Sequence, residues 1–132
     1  MESFLTRLGP LSHAAFRVVV GALFACHGAQ KLFGMFGGFA MSPSGKVQWL
    51  SLLGMAGAIE LVGGLLVALG VRARLAAFIC SGEMAFAYFM NHQPKGLLPI
   101  QNGGEAAVLY CFAFLVLACV GPGPFTLERG GR

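Results

Sequence analysis

Charged side chains are scarce in this sequence. Asp, Glu, Lys and Arg together make up 11% of the 132 residues, whereas a soluble domain carries about 25%. Hydrophobic residues make up 57%. So few charges cannot cover a water-facing surface, and we therefore expect lipid to cover much of the molecule. The length, residues 1–132, is that of a single domain.

Motifs that would identify a reaction are also missing. The sequence has no Walker loop, no dinucleotide fingerprint, no serine triad and no Glu-x-x-His of the kind that di-iron bundles use. None of the four cysteines forms a CxxC pair, and their apolar surroundings favour small buried hydrophobic residues over redox chemistry. No basic tract carries interleaved aromatics, so the net charge of +4 does not indicate nucleic-acid binding.

Four long apolar runs account for most of the chain. A helix needs about 20 residues to cross about 30 Å of hydrocarbon. The runs are continuously apolar rather than alternating, which favours helices over membrane strands. Short connections rich in Gly and Pro separate them and imply antiparallel neighbours. The sequence therefore predicts an all-α, four-helix transmembrane bundle with helices at about residues 11–33, 47–71, 75–90 and 105–120.

The positive charges predict the orientation of this bundle. Short cytoplasmic loops carry the excess of Lys and Arg. With four crossings, both termini share one side with the turn at residues 70–74. That side holds Arg7, Arg72, Arg74, Arg129 and Arg132, and the other side holds Lys31, Lys46 and Lys95. We therefore expect a multi-pass protein of the inner membrane with both termini in the cytoplasm.

Several glycines have the spacing of helix-packing positions. Gly21 and Gly28 are seven residues apart in the first run, and Gly57 and Gly64 are seven apart in the second. Small residues allow membrane helices to approach closely. We interpret these four glycines as contacts between helices.

Two glutamates lie near the middle of apolar runs. Glu60 lies in the second run and Glu83 in the third. Ionisable groups at bilayer depth are costly and usually face the bundle interior. If the two carboxyls face each other, burial and like-charge repulsion favour a proton on one of them, which suits a proton relay. The structural alternative is a pairing with Arg17, Lys31 or a buried amide.

A second group of polar residues gathers at the outer ends of the helices. His27 and Lys31 share one face of the first helix, His92 ends the third, and Asn102 and Glu105 open the fourth. Such a pocket would suit a quinone headgroup, a metal ion or a small anion. Each residue also has a simpler interpretation: Lys31 reaching the interface, Glu105 stabilising a helix N-terminus, or His92 lying at the interface.

Arg17 lies near the cytoplasmic end of the first run. It either extends to the interface or forms a salt bridge with Glu60 or Glu83. A mononuclear metal site of His27, His92 and carboxylates also stays open, although no spacing supports it strongly.

Motifs along nearly the whole chain resemble those of the DoxX family, small four-helix inner-membrane proteins. The matching stretches keep their order: residues 17–21 with 27–34, 57–64, 69–74, 83–92, 102–105 and 121–123. The resemblance supports, as marked positions, Arg17, His27, Lys31, Glu60, Glu83, Asn102 and Glu105. It implies redox chemistry at the quinone level or in thiol and oxidative stress, together with redox partner proteins.

The leading hypothesis is therefore a membrane subunit of a quinone-linked redox system. Glu60 and Glu83 would move or hold protons, and His27 and Lys31 would contact a quinone headgroup or an anion. Two alternatives stay open. One is a non-enzymatic membrane anchor or partner-binding subunit, and the other is a small-solute permease that works as a homo-oligomer.

Overall fold

The computed structural model describes residues 1–128, and within them the chain is all-helical, without strands. It contains five α-helices: α1 Glu2–Phe33, α2 Leu52–Leu69, α3 Ala73–Ala87, α4 Pro99–Asn102 and α5 Glu105–Val120. A π-helical turn, Tyr88–His92, and a 3-10 turn, Gln93–Lys95, continue from α3. Arg129 and Arg132, which the orientation prediction counted, lie outside the described residues.

The helix bounds agree with the predicted runs to different degrees. Helix α5 has the predicted bounds, whereas α1 begins nine residues before its predicted start at residue 11. Helix α2 begins five residues after its predicted start at residue 47 because Ser51 caps it, its hydroxyl accepting a hydrogen bond from the Gly54 N–H at 3.0 Å. The apolar residues just before Ser51 belong instead to the loop after α1, where the Val47 N–H donates to the Lys31 carbonyl at 2.8 Å.

Helices α1 and α2 pack with their backbones in contact. A Cβ at Gly21 would lie 2.6 Å from the Gly64 carbonyl oxygen, and one at Gly64 would lie 2.6 Å from the Ala25 nitrogen. Gly28 packs in the same way against Gly57 and Leu61. The predicted glycine contacts are therefore confirmed, and they hold the two helices in a fixed register.

The long helices follow one another in space as α1, α2, α3 and α5. Helix α2 packs on α3 and α3 packs on α5, whereas α1 and α5 touch only sparsely. The Ser81 hydroxyl of α3 donates to the Cys111 carbonyl of α5 at 2.8 Å. The fully buried centre is apolar and contains Phe24, Val67, Cys80, Phe114 and Leu117.

The C-terminal segment, residues 121–128, folds back over one end of the helices. The Leu127 N–H donates to the Leu69 carbonyl at 3.0 Å, and the Arg72 N–H donates to the Glu128 carboxylate at 2.5 Å. His13 contributes a ring nitrogen 2.9 Å from the Gly121 carbonyl oxygen. The segment therefore ties α1 to the turn between α2 and α3.

Large apolar side chains project outward from all four long helices. Examples are Leu23, Val62, Phe78, Phe86, Leu109 and Phe112, each about half exposed or more. By length and composition, α1 and α2 are suited to crossing a membrane, and α5 is a shorter apolar helix.

Candidate functional site at the Lys31 and Glu60 ion pair

Lys31 and Glu60 form an ion pair between α1 and α2. The Lys31 ammonium contacts Oε1 of Glu60, whose side chain is only 3% exposed. The same ammonium lies 5.8 Å from the ring centre of Phe39, in the loop that follows α1. The loop after α1, the end of α1 and the Glu60 carboxylate thus surround the ammonium group.

The Lys31 side chain runs along α2 because Gly57 has no side chain to block it. A Cβ at Gly57 would lie 3.1 Å from the Lys31 Cβ, so the lysine stem starts level with Gly57. Its ammonium reaches Glu60, one turn further into α2. The interpretation of Lys31 as an interfacial, outward-reaching lysine is therefore wrong. The absence of a side chain at residue 57 gives the stem room to run along α2.

Glu83 lies on α3 at the same level as Glu60. Gly63 packs against the sulfur of Cys80 where α2 and α3 meet. Glu60 is three residues before Gly63, and Glu83 is three residues after Cys80. Because α2 and α3 are joined by a short turn and run antiparallel, both glutamates lie one turn from this contact on the same side of it.

Each of these carboxyl groups has an oxygen without a partner. The Oε2 atoms of Glu60 and Glu83 are buried and have no hydrogen-bond partner among the described residues. Buried polar atoms are rarely left in this state, so each such atom calls for an explanation. Together the two oxygens can accept hydrogen bonds or a proton, while the Lys31 ammonium supplies a donor and a positive charge.

His27 lies one turn before Lys31 on the same face of α1. Its side chain is exposed, and its ring makes an edge contact with Tyr110 of α5, the ring centres being 6.0 Å apart. Tyr110 also packs against Phe24, at 5.2 Å. Sequence reasoning did not select Tyr110, although a phenol hydroxyl inside an apolar run was a signal that could have identified it.

His92 and Asn102 belong to a separate hydrogen-bond network around the turn between α4 and α5. Nδ2 of Asn102 donates to the Tyr88 hydroxyl at 3.1 Å and to the Gly96 carbonyl at 2.9 Å, and Oδ1 accepts from the Gly104 N–H at 2.8 Å. Nδ1 of His92 lies 3.3 Å from the Asn102 carbonyl oxygen. Asn102 is thus fully used in shaping the loop.

Glu105 stands apart from both groups. It is exposed in the first turn of α5 and has no side-chain partner among residues 1–128. This placement agrees with the simpler interpretation, a carboxylate at a helix N-terminus.

Arg17 is placed far from both carboxylates. Its guanidinium is buried and donates to the carbonyls of Pro122, Pro124 and Phe125 at 2.5, 2.9 and 2.8 Å. The predicted salt bridge to a glutamate is therefore wrong, whereas the alternative, an extension toward the interface, stays a prediction. The sequence could not show that the C-terminal segment returns to cover this arginine.

A metal centre finds no support in the described part of the chain. No three His, Cys, Asp or Glu side chains there come together as a ligand set. The suggested mononuclear site of His27, His92 and carboxylates is therefore not formed, since His27 faces Tyr110 while His92 faces Asn102.

Comparison with known proteins identifies the family. The family model described as DoxX matches residues 12–93. A protein of Haemophilus influenzae, described only as an uncharacterized protein, is 43% identical over 130 residues, which cover 95% of this chain and 94% of that protein. No solved structure matches the chain. The family match spans the Lys31 and Glu60 pair, Glu83, Arg17 and His27, and this chain belongs to the DoxX family.

Proposed function

We propose that this protein is a multi-pass inner-membrane subunit that binds a quinone and exchanges protons with it, within a quinone-linked or oxidative-stress redox system. One observation carries the proposal: Glu60 and Glu83 lie at one level, each has a buried Oε2 atom without a hydrogen-bond partner among residues 1–128, and the Lys31 ammonium pairs with Glu60. An ionisable cluster of this kind inside an apolar bundle is a functional site by default.

The proposal includes a transmembrane placement of all four long helices. DoxX proteins are typically membrane-associated, and α1 and α2 have the length and composition to cross a membrane. Helix α5 extends for about 24 Å at about 1.5 Å per residue, and α3 reaches a similar length through its π-helical turn. A slightly thinned bilayer accommodates such helices. Four crossings would place both termini on one side, and the Lys and Arg excess favours the cytoplasmic side.

The residues present fit a quinone headgroup. A quinone accepts hydrogen bonds at two oxygens, and its reduced form donates them. Lys31 and His27 supply donors, while Glu60 and Glu83 supply acceptors. When bound, the quinone supplies two-electron redox chemistry with the uptake or release of two protons. The electrons come from or go to a redox partner protein.

The two glutamates take different parts in this scheme. Glu60 is paired with Lys31, which compensates a negative charge there. Glu83 forms no ion pair within residues 1–128, and an isolated buried carboxylate is costly. We therefore assign to Glu83 the role of holding the proton and to Glu60 that of orienting the ligand together with Lys31.

Copurification tests the proposal. The protein is extracted in mild detergent, and the bound quinone is measured by mass spectrometry, with elemental analysis in parallel. We expect a stoichiometric quinone in the native protein. We expect the same in Glu105→Gln, the control variant, which makes the same change at an exposed glutamate. We expect it to be lost in Glu60→Gln. Equal quinone content in all three, or none in the native protein, would overturn the proposal.

A membrane anchor for a partner protein is the second candidate. It is favoured by the position of the Lys31 and Glu60 pair at the packed boundary of α1 and α2, where an ion pair can specify register. Under this function, neutralising both residues changes stability or partner capture and leaves quinone content unchanged. A permease would need an oligomer, and solute flux in proteoliposomes would test for it.

A further inference from the structure

The weakest boundary of the bundle lies between α1 and α5. These helices touch only sparsely, and a small aromatic contact closes the gap: Phe24 of α1 lies 5.2 Å from the Tyr110 ring and 4.6 Å from the Phe114 ring. The other boundaries are closed more tightly. Glycine backbones join α1 to α2, and the Ser81 hydrogen bond joins α3 to α5.

The boundary between α2 and α3 is closed as well. An outer groove of about 300 Å³ lies there, lined by apolar residues such as Ala58, Val62 and Ile79. Its floor is Gly63, which packs against the buried Cys80 sulfur. The lining of this groove contains no charged or polar side chain.

Polar atoms line the gap between α1 and α5. His27 is exposed on α1, and Tyr110, half-buried, faces it from α5. Neither the imidazole nor the phenol hydroxyl has a hydrogen-bond partner within residues 1–128. Both side chains combine an apolar ring with a polar tip, which suits a place where an apolar molecule passes from lipid to a polar site. One helical turn beyond His27 lies Lys31, paired with Glu60.

We propose that Tyr110 and His27 form a lateral portal between α1 and α5, through which a lipid-soluble quinone reaches Lys31 and Glu60 from the bilayer. Tyr110 is a positioning residue in this arrangement: its ring controls the width of the portal and its hydroxyl guides the polar end of the ligand. The inference rests on the proposed function and adds the route and a residue that the sequence did not reveal.

The single tryptophan provides a readout that does not depend on enzymatic activity. Trp49 lies against Phe33, at the end of α1 that carries Lys31, with ring centres 5.6 Å apart. A benzoquinone with one isoprene unit quenches tryptophan fluorescence, so stopped-flow mixing with protein in lipid nanodiscs gives association and dissociation rates. The variants are Tyr110→Ala, Tyr110→Phe and, as a control on the adjacent outward-facing residue, Leu109→Ala.

We expect Tyr110→Ala to raise both rates by about tenfold, because it removes the ring that narrows the portal. Tyr110→Phe keeps the ring and should change the rates less, and Leu109→Ala should leave them unchanged. Thermal unfolding of each variant shows whether the fold is kept. Tyr110→Phe keeps the test valid if Tyr110→Ala does not fold. It keeps the ring but lacks the hydroxyl that guides the ligand, so the association rate should fall below the native rate, by less than the rise expected for Tyr110→Ala.

The outcomes separate the portal from the proposed function. Native rates in both Tyr110 variants, with binding still lost in Glu60→Gln, would overturn the portal alone. A slower association in Val62→Phe, on the α2–α3 groove, with native rates in the Tyr110 variants would also overturn it and would place the entrance there. Binding that survives Glu60→Gln would overturn the proposed function itself.

Discussion

The ammonium group of Lys31 meets the carboxylate of Glu60 well inside α2, although Lys31 itself lies in the last turn of α1. Glu60 follows the first residue of α2, Leu52, by eight positions, or about 12 Å along the axis. The pair forms because Gly57 leaves space for the lysine stem to run inward. A positive charge is thereby placed next to the buried carboxyl group of Glu60.

Replacing only Lys31 should destabilise the protein more than replacing both Lys31 and Glu60. Lys31→Met leaves Glu60 buried without its cation, and we expect a loss of about 3 kcal/mol or more in the free energy of unfolding. The double variant Lys31→Met with Glu60→Leu removes both charges and should recover most of that loss. Unfolding in detergent measures both. A double variant less stable than Lys31→Met would contradict the pairing.

Gly28 should not tolerate a side chain. A Cβ there would overlap the backbone of Gly57 and Leu61, so Gly28→Ala must separate α1 from α2 at a cost of about 1–3 kcal/mol or more. Gly82→Ala is the matched control, because no atom of the described part of the chain lies within 4 Å of the added methyl group. It should be neutral or stabilise the helix by up to about 1 kcal/mol. Equal melting temperatures for the two variants would show that the close α1–α2 contact is absent.

Arg17 should hold the C-terminal segment in place. Arg17→Lys keeps the charge, but a single ammonium cannot replace donors that span three carbonyls of residues 122–125. We expect a loss of about 3 kcal/mol, since each hydrogen bond from a charged donor contributes about 1.5–3 kcal/mol. Limited proteolysis should then cut within residues 121–128 faster than in the native protein. The exposed Arg7→Lys should not change the cleavage rate, and native protection in Arg17→Lys would refute the anchoring role.

Asn102 and Glu105, neighbours in the resembling motif, should respond differently to substitution. Asn102→Ala removes three hydrogen bonds in a buried turn, and we expect a loss of about 1–3 kcal/mol in stability. Glu105→Gln changes an exposed side chain and should stay within about 0.5 kcal/mol of the native protein. Thermal unfolding and quinone content are measured together. If Asn102→Ala lost quinone at native stability, Asn102 would belong to the binding site.

The orientation can be tested with reporters at two positions. Activity-based fusions after residue 132 and within the loop after α1, at residue 41, should report opposite sides of the membrane. We expect the C-terminal fusion to be cytoplasmic because the Lys and Arg excess predicts it. Reporters on the same side would exclude four crossings.

Much of the secondary structure followed from hydropathy alone. Long apolar runs separated by Gly and Pro predicted the helical class, and α5 has the predicted bounds, because a run of apolar residues between a glycine pair and a Gly-Pro turn leaves little choice. The start of α2 was missed because the residues before Ser51 are apolar without being helical, and capping overrides hydropathy there.

The sequence was enough to recognise the candidate residues, because ionisable groups in apolar runs are costly to bury. It did not show which groups they contact. Glu60, Glu83 and Lys31 stood out because ionisable groups in apolar runs are expensive. The sequence could not assign Lys31 to Glu60 rather than to solvent, nor Arg17 to the carbonyls of the C-terminal segment. The phenol hydroxyl of Tyr110 inside an apolar run was a signal in the sequence, but its contact with His27 depends on how α1 and α5 pack.

By itself the sequence determined the helical class, the DoxX family and the set of glycines and buried charges, because composition, periodicity and motif order are local properties of the chain. Only the tertiary structure decided which charges meet. Pairing depends on helix register, and the register is set by the contact of Gly28 with Gly57 and of Gly21 with Gly64, residues that are distant in sequence. That register turns Lys31 toward Glu60 and leaves Arg17 beneath the C-terminal segment.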